Sequence, residues 1–211
     1  MNKYTQPHIA NSALVTIDTQ NDFTLSDAPL RIAGTEEIIP EMVRLLNLYR
    51  RKSLPIIHVV RLYLHDGSNA ELCRRHIIEA GKGLLAPGSE GAELIQKLKP
   101  RGSVRIDSQQ LLDGKFQPIG EHEFVMYKPR WGAFYGTQLE YFLKTLGVDT
   151  LVFTGCNFPN CPRTSIYEAS ERDFRIVLIK DAISQLYEKG EEEMANIGVN
   201  LMTTDELIGL A

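Results

Sequence analysis

A chain of 211 residues, 43% apolar and 24% charged, has the length and composition of a globular protein with one large core. A formal net charge of -4 leaves no basic excess to neutralise phosphates, which argues against a general nucleic-acid binder. No apolar run approaches the roughly 20 residues that a membrane-spanning helix needs.

The elements alternate along the chain. SALVTID (12–18) reads as a strand, and TEEIIPEMVRLLNLYRRKS as a helix with Thr35 as its N-cap and Pro40 in its first turn. LPIIHVVRL is the second strand. NAELCRRHIIEA is a helix inside a less regular region, about 62–122, which reads as an excursion from the sheet and a candidate lid or oligomer surface. EFVMYK (123–128) is the third strand and FYGTQLEYFLKTLG the helix after it. DTLVFTG (149–155), helix PRTSIYEASERDF, strand FRIVLIKDA, helix EKGEEEMANIG and a short NLMTT complete the series. Runs such as LVF and IVLI are apolar on both faces, the mark of parallel strands covered on both sides. The expected fold is therefore α/β: a single three-layer α-β-α domain over 1–211, with a Rossmann-like, mostly parallel sheet of about six strands.

Ligands of open parallel sheets bind at the carboxyl ends of the strands. Asp18 ends the first strand there, Lys128 the third, and Cys161 lies in the loop after the fourth. Taken singly, each has an ordinary structural reading: a turn or cap, a solvated lysine, an inert thiol. Their conjunction at one edge points to chemistry. Pro162 is favoured as a first helical residue, which puts Cys161 at the N-cap, where unpaired N–H groups and the helix dipole lower a thiol pKa. Lys128 would push the same way. Asp18 could take the thiol proton and pass it to a leaving amine. The backbone N–H groups of Asn157 and Cys161 form a candidate oxyanion hole.

The other cysteines read differently. Cys156 closes an apolar strand and reads as a buried structural thiol; Cys73 lies on a helix and reads as a core contact. Three scattered cysteines make a poor disulfide framework and fit a reducing compartment. The N-terminal MNKYTQPHIANSALVTID has no apolar stretch ending in a small-residue cleavage site, so a cytoplasmic location is expected. His58 sits in an apolar strand and reads as a core histidine. Zinc-ligand spacings are missing, as are GxGxxG and GxxxxGK[ST], so neither a metal nor another cofactor is expected.

ALVTIDTQNDF resembles the opening strand of the isochorismatase-like cysteine hydrolases. YKPRWGAFYGTQLEYFLKTLGVDTLVFTG resembles their lysine segment, CPRTSIYEASERDFRIVLIKDAIS their cysteine helix and next strand, and MTTDELI their usual ending. The resemblance covers most of the chain. It implies that Asp18, Lys128 and Cys161 are a catalytic triad, that the thiol forms an acyl-thioester from a small amide, carbamoyl or ureido substrate, and that the protein is a homo-oligomer, a dimer or tetramer. It also implies a non-proline cis peptide near Asn157–Phe158. Phe23, Trp131 and Phe134 match positions that line the family's pocket, although Phe134 reads equally well as core. Arg61, Arg130 or Arg163 could pair with a substrate carboxylate.

Several residues depart from the family pattern. CNFPN replaces small residues before the cysteine, so that Phe158 and Pro159 should stiffen a pocket wall. Pro162 and Arg163 follow the cysteine where valine is frequent, and Gly132 stands where serine is frequent. HVVRLYLHDG lacks the Asp-Trp-His pattern of the metal-dependent nicotinamidases. Two alternatives stay open: a vinyl-ether hydrolase of the isochorismatase type with an incidental Cys161, and a catalytically silent binding protein on the same fold.

Overall fold

The computed structural model describes residues 2–81 and 83–211. Its strands are β1 (Ser12–Ile17), β2 (Ile56–Val60), β3 (Gln117–Pro118), β4 (Glu123–Tyr127), β5 (Thr150–Gly155), β6 (Arg175–Ile183) and β7 (Asn200–Met202). Its helices are α1 (Asn21–Thr24), α2 (Ile39–Arg51), α3 (Leu72–Glu79), α4 (Ser108–Leu112), α5 (Leu139–Thr145), α6 (Cys161–Ser170), α7 (Glu188–Asn196) and α8 (Thr204–Leu210). The strands form one sheet in the order β3-β4-β2-β1-β5-β6-β7. All neighbours are parallel except β3 and β4. The seventh strand beyond the expected six is β3, two residues on the edge, too short to carry any periodic signal.

Two-sided burial follows from the strand sequences. Every residue of β1, β2 and β5 is buried. Successive side chains point to opposite faces. Val15, Ile17, Phe153 and Leu178 therefore join Leu139, Leu143, Ile166 and Met194 of α5, α6 and α7. Leu14, Val152 and Val177, in register with one another, join Met42, Leu45 and Leu46 of α2 and Leu207 of α8. These are the two outer layers of the three-layer fold. Each fully buried leucine or isoleucine contributes roughly 1.5–3 kcal/mol.

A polar chain crosses the core. His58, fully buried on β2, bonds Thr16 Oγ1 through Nδ1 and Glu123 Oε1 through Nε2, both at 2.8 Å. Burial alone would raise the Glu123 pKa, but hydrogen bonds from Arg50 and His58 outweigh it and hold the carboxyl below its usual range. The chain ties β1, β2 and β4 together and leaves neither His58 nitrogen unpaired. The core reading of His58 stands.

Three helix starts differ from expectation. Thr35 does not cap α2. It is buried, and its hydroxyl donates to Ser184 Oγ at 3.1 Å beyond β6, so α2 begins four residues later at Ile39, with Pro40 in its first turn. The stretch from Phe134 is non-helical up to α5, because Gly136 adopts φ 62° and interrupts it. Cys161 is the first residue of α6, with Asn160 at the cap position, one step further into the helix than expected.

Candidate active site

The two central strands and their neighbours converge on one edge. Past β1, Asp18 adopts φ 53°, a left-handed conformation that aspartate tolerates better than most residues. Its N–H donates to Val59 O at 2.9 Å, which anchors it to β2. Lys128 extends β4 by donating its N–H to Val60 O at 3.0 Å. Gly155 ends β5 at φ 110°; a Cβ there would lie 2.3 Å from Ile17 O, so only glycine lets β5 come this close to β1 before the cysteine loop.

Asp18, Lys128 and Cys161 meet. Lys128 Nζ lies 3.0 Å from Asp18 Oδ2, donates to Cys161 Sγ at 3.3 Å and to Arg130 O at 3.2 Å. Three N–H donors thus find three acceptors. The residues are 3%, 1% and 5% exposed respectively. Asp18 Oδ1 is buried with no hydrogen-bond partner among the described residues, a free acceptor in the site.

Burial reverses the expected direction of the thiol pKa. Desolvation, together with the Asp18 charge, pushes Cys161 up to about 12, against the downward pull of Lys128. The resting group is a neutral thiol. Burial would lower the Lys128 pKa, but Asp18 and then Cys161 hold it above the ordinary lysine range. A thiol raised from 9.0 to about 12 favours the folded state below pH 9, and this contribution is lost as pH rises from about 9 to about 12. Urea midpoints of the wild type should therefore fall more steeply across that window than those of Cys161→Ala.

The neighbouring thiols have other roles. Cys156 is buried, donates to Asp18 O at 3.1 Å and is pushed well above the usual thiol range by burial, as expected of a structural cysteine. Cys73 lies on α3 as expected, but on its exposed face rather than in a core contact. The non-proline cis peptide is Cys156–Asn157, one bond before the expected position. Among the described residues, neither the Asn157 nor the Cys161 N–H has a hydrogen-bond acceptor.

Several candidate site residues turn away. Phe134 packs on Phe174, ring centroids 5.9 Å apart, under Arg172. Phe174 leads into the start of β6, the end of the sheet opposite the triad, so Phe134 is core. Phe158 is fully buried and set edge-on to Tyr187 at 5.5 Å. A Cβ on Gly190 of α7 would lie 2.4 Å from its ring, so Phe158 fills the seat of α7 rather than a pocket wall. Arg61 is buried between the Tyr63 and Tyr127 rings. It pairs with Glu71 at 3.2 Å and donates to the carbonyls of Leu62, Asn69 and Lys128, which leaves no free edge for a substrate. Arg163 binds Glu193 at 2.6 Å and the Tyr187 hydroxyl, bridging α6 to α7. Arg130 donates to Pro129 O and Asn69 O.

Phe23 and Trp131 stay near the triad. Phe23 is buried with Tyr63, Leu84 and Cys156. Trp131 is half-buried and carries the Arg74 guanidinium 4.6 Å above its ring. Arg74 escapes sequence reading, because nothing in ELCRRHII tells which helix face turns toward the triad. Among the described residues, no three His, Cys, Asp or Glu side chains are grouped to hold a metal ion, and no helix is long and apolar enough to cross a membrane.

The fold agrees with what the chain resembles. Residues 12–206 match the isochorismatase domain, and the chain belongs to that family. It is 32% identical, with a TM-score of 0.81, to a crystallised isochorismatase family protein from Desulfovibrio vulgaris, covering 95% of this chain and 97% of that one. A probable inactive nicotinamidase of Arabidopsis thaliana is 33% identical over 93% of this chain and 94% of its own length. A ureidoacrylate amidohydrolase of Methylobacterium radiotolerans is 27% identical over 83% of this chain and 68% of its own length.

Proposed function

We propose that the chain is a cysteine-dependent hydrolase of a small amide, carbamoyl or ureido substrate. The observation that carries this reading is the buried triad, with Cys161 Sγ 3.3 Å from Lys128 Nζ and that ammonium 3.0 Å from Asp18. The thiol attacks the carbonyl carbon as Asp18 takes its proton, and Lys128 stabilises the sulfur's developing negative charge. The N–H groups of Asn157 and Cys161 are free to donate to the carbonyl oxygen as it becomes an oxyanion. Asp18 returns the proton to the leaving nitrogen, an acyl-thioester remains, and a water deprotonated by Asp18 hydrolyses it. Because the resting thiol is neutral, its proton passes to Asp18 as the sulfur attacks an electrophilic carbon. The name of the ureidoacrylate amidohydrolase relative supports a urea-type C–N bond as the target.

The name of the Arabidopsis relative, a probable inactive nicotinamidase, supports a second reading, a silent binding protein. One experiment separates the two. Ammonia is measured over a panel of small amides, carbamoyl and ureido compounds, alongside limiting iodoacetamide with the adduct mapped by mass spectrometry. The hydrolase reading expects turnover of at least one class and labelling of Cys161 ahead of Cys156. No turnover, with equal and slow labelling of both, favours the silent protein.

A further inference from the structure

We propose that Arg74 is the anion-recognising residue of this site, and that the substrate carries a carboxylate beside its amide-type carbon. The inference rests on the cysteine-hydrolase reading and names its substrate class.

The other cations at this edge are already engaged. Lys128 has three acceptors in Asp18, Cys161 and Arg130 O. Arg61 is buried against Glu71 and three carbonyls. Arg130 binds two carbonyls, and Arg163 binds Glu193. Arg74 differs from Lys128, Arg61 and Arg163, which have carboxylate partners, and from Arg130, whose bonds go to two backbone carbonyls. It is half-buried, and among the described residues no carboxylate lies within ion-pair distance of it. Its one hydrogen bond runs from Nη1 to the neutral Tyr63 hydroxyl at 3.0 Å. A guanidinium has five N–H donors, so most of the fork is unspent.

Its position is fixed on two sides. The Trp131 ring lies 4.6 Å beneath it. Tyr63 donates to Glu71 Oε2 at 3.0 Å, and Glu71 is itself held by Arg61, so the hydroxyl that receives Arg74 is locked. Apart from its bond to Tyr63, the guanidinium has no hydrogen-bond partner among the described residues, and an open arginine edge takes a carboxylate with two parallel bonds. The chain also leads from the sulfur to this site. Lys128 spans from Cys161 Sγ to Arg130 O, and the next residue is Trp131. Consistently, the positive charge of Arg74 and the Cys161 sulfur influence each other. A planar carbamoyl acid would place its carboxylate on Arg74 with its carbonyl over Cys161.

The test compares charged and neutral probes of equal size. Mapped alkylation of Cys161 by iodoacetate is measured against iodoacetamide in the wild type, Arg74→Gln and Arg74→Lys. The wild type should favour iodoacetate relative to free cysteine. Arg74→Gln should lower that ratio by about tenfold or more, and Arg74→Lys should fall between. In parallel, binding of N-carbamoylglycine and of its neutral amide to Cys161→Ala is measured by calorimetry. The acid should bind about tenfold more tightly or better, and adding Arg74→Gln should erase the difference. A ratio and a preference untouched by Arg74→Gln overturn the proposal, whereas a merely structural role would change both probes alike. Should Cys161 prove unreactive throughout, the hydrolase reading fails while the binding arm still decides the role of Arg74.

Discussion

Cys161→Ala is expected to lower kcat for amide hydrolysis by roughly ten-thousandfold or more, the scale seen when a covalent nucleophile is removed. Among the described residues, the other buried thiol cannot take its place. Cys156 is buried, bonded to the Asp18 carbonyl and kept in its thiol form. The fold should survive, because the change deletes one small buried atom and relieves Asp18 of a neighbour that competes for Lys128. Urea midpoints near neutral pH should stay close to the wild type while single-turnover ammonia release disappears. Activity retained within tenfold would sink the thioester mechanism and move the reading to a hydrolase in which the sulfur is incidental.

The expectation of a reactive thiol and the finding of a neutral one are compatible, and the difference shows what the sequence carries. The apolar runs of β1, β2, β4, β5 and β6 announce parallel strands, and parallel strands announce the edge where chemistry sits. Asp18 and Lys128 were legible because each stands just beyond a strand end, and Cys161 because Pro162 marks the helix start beside it. Direction and depth were not legible. Arg61 stands at the same edge as Lys128 but is drawn inward by Glu71, ten residues on, in a region whose sequence gives little sign of its path. Phe134 and Phe158 lie in loops with no period, so their side chains follow tertiary partners, Phe174 for one and Gly190 for the other. The pKa of Cys161 depends on the cover over it, and the sequence places the helix end but not the cover. The placement of Arg74 over Trp131 depends on the same tertiary packing.

Lys128→Met should destabilise the fold by about 3–5 kcal/mol, the cost of stranding one partner of a buried ion pair. Asp18 would keep a carboxylate at 3% exposure with Oδ1 already unpartnered and Oδ2 newly so. Asp18→Asn alone is also costly, since its amide oxygen can still accept from Lys128 but no carboxylate then balances the buried ammonium. Combining Asp18→Asn with Lys128→Met removes both charges. The double variant should recover a large part of the lost stability, so the two penalties fall well short of additive. Its activity should stay as low as that of either single variant, because the proton acceptor and the cation beside the sulfur are both gone. Urea midpoints and ammonia release on the same four proteins therefore separate the structural role of the pair from its chemical one. Additive penalties would mean that the two charges do not sense each other, and an active double variant would remove Asp18 and Lys128 from the mechanism. Recovered stability without recovered turnover is what a site built for chemistry predicts, since the ion pair is then kept at a cost to the fold that neutral residues of similar size would avoid.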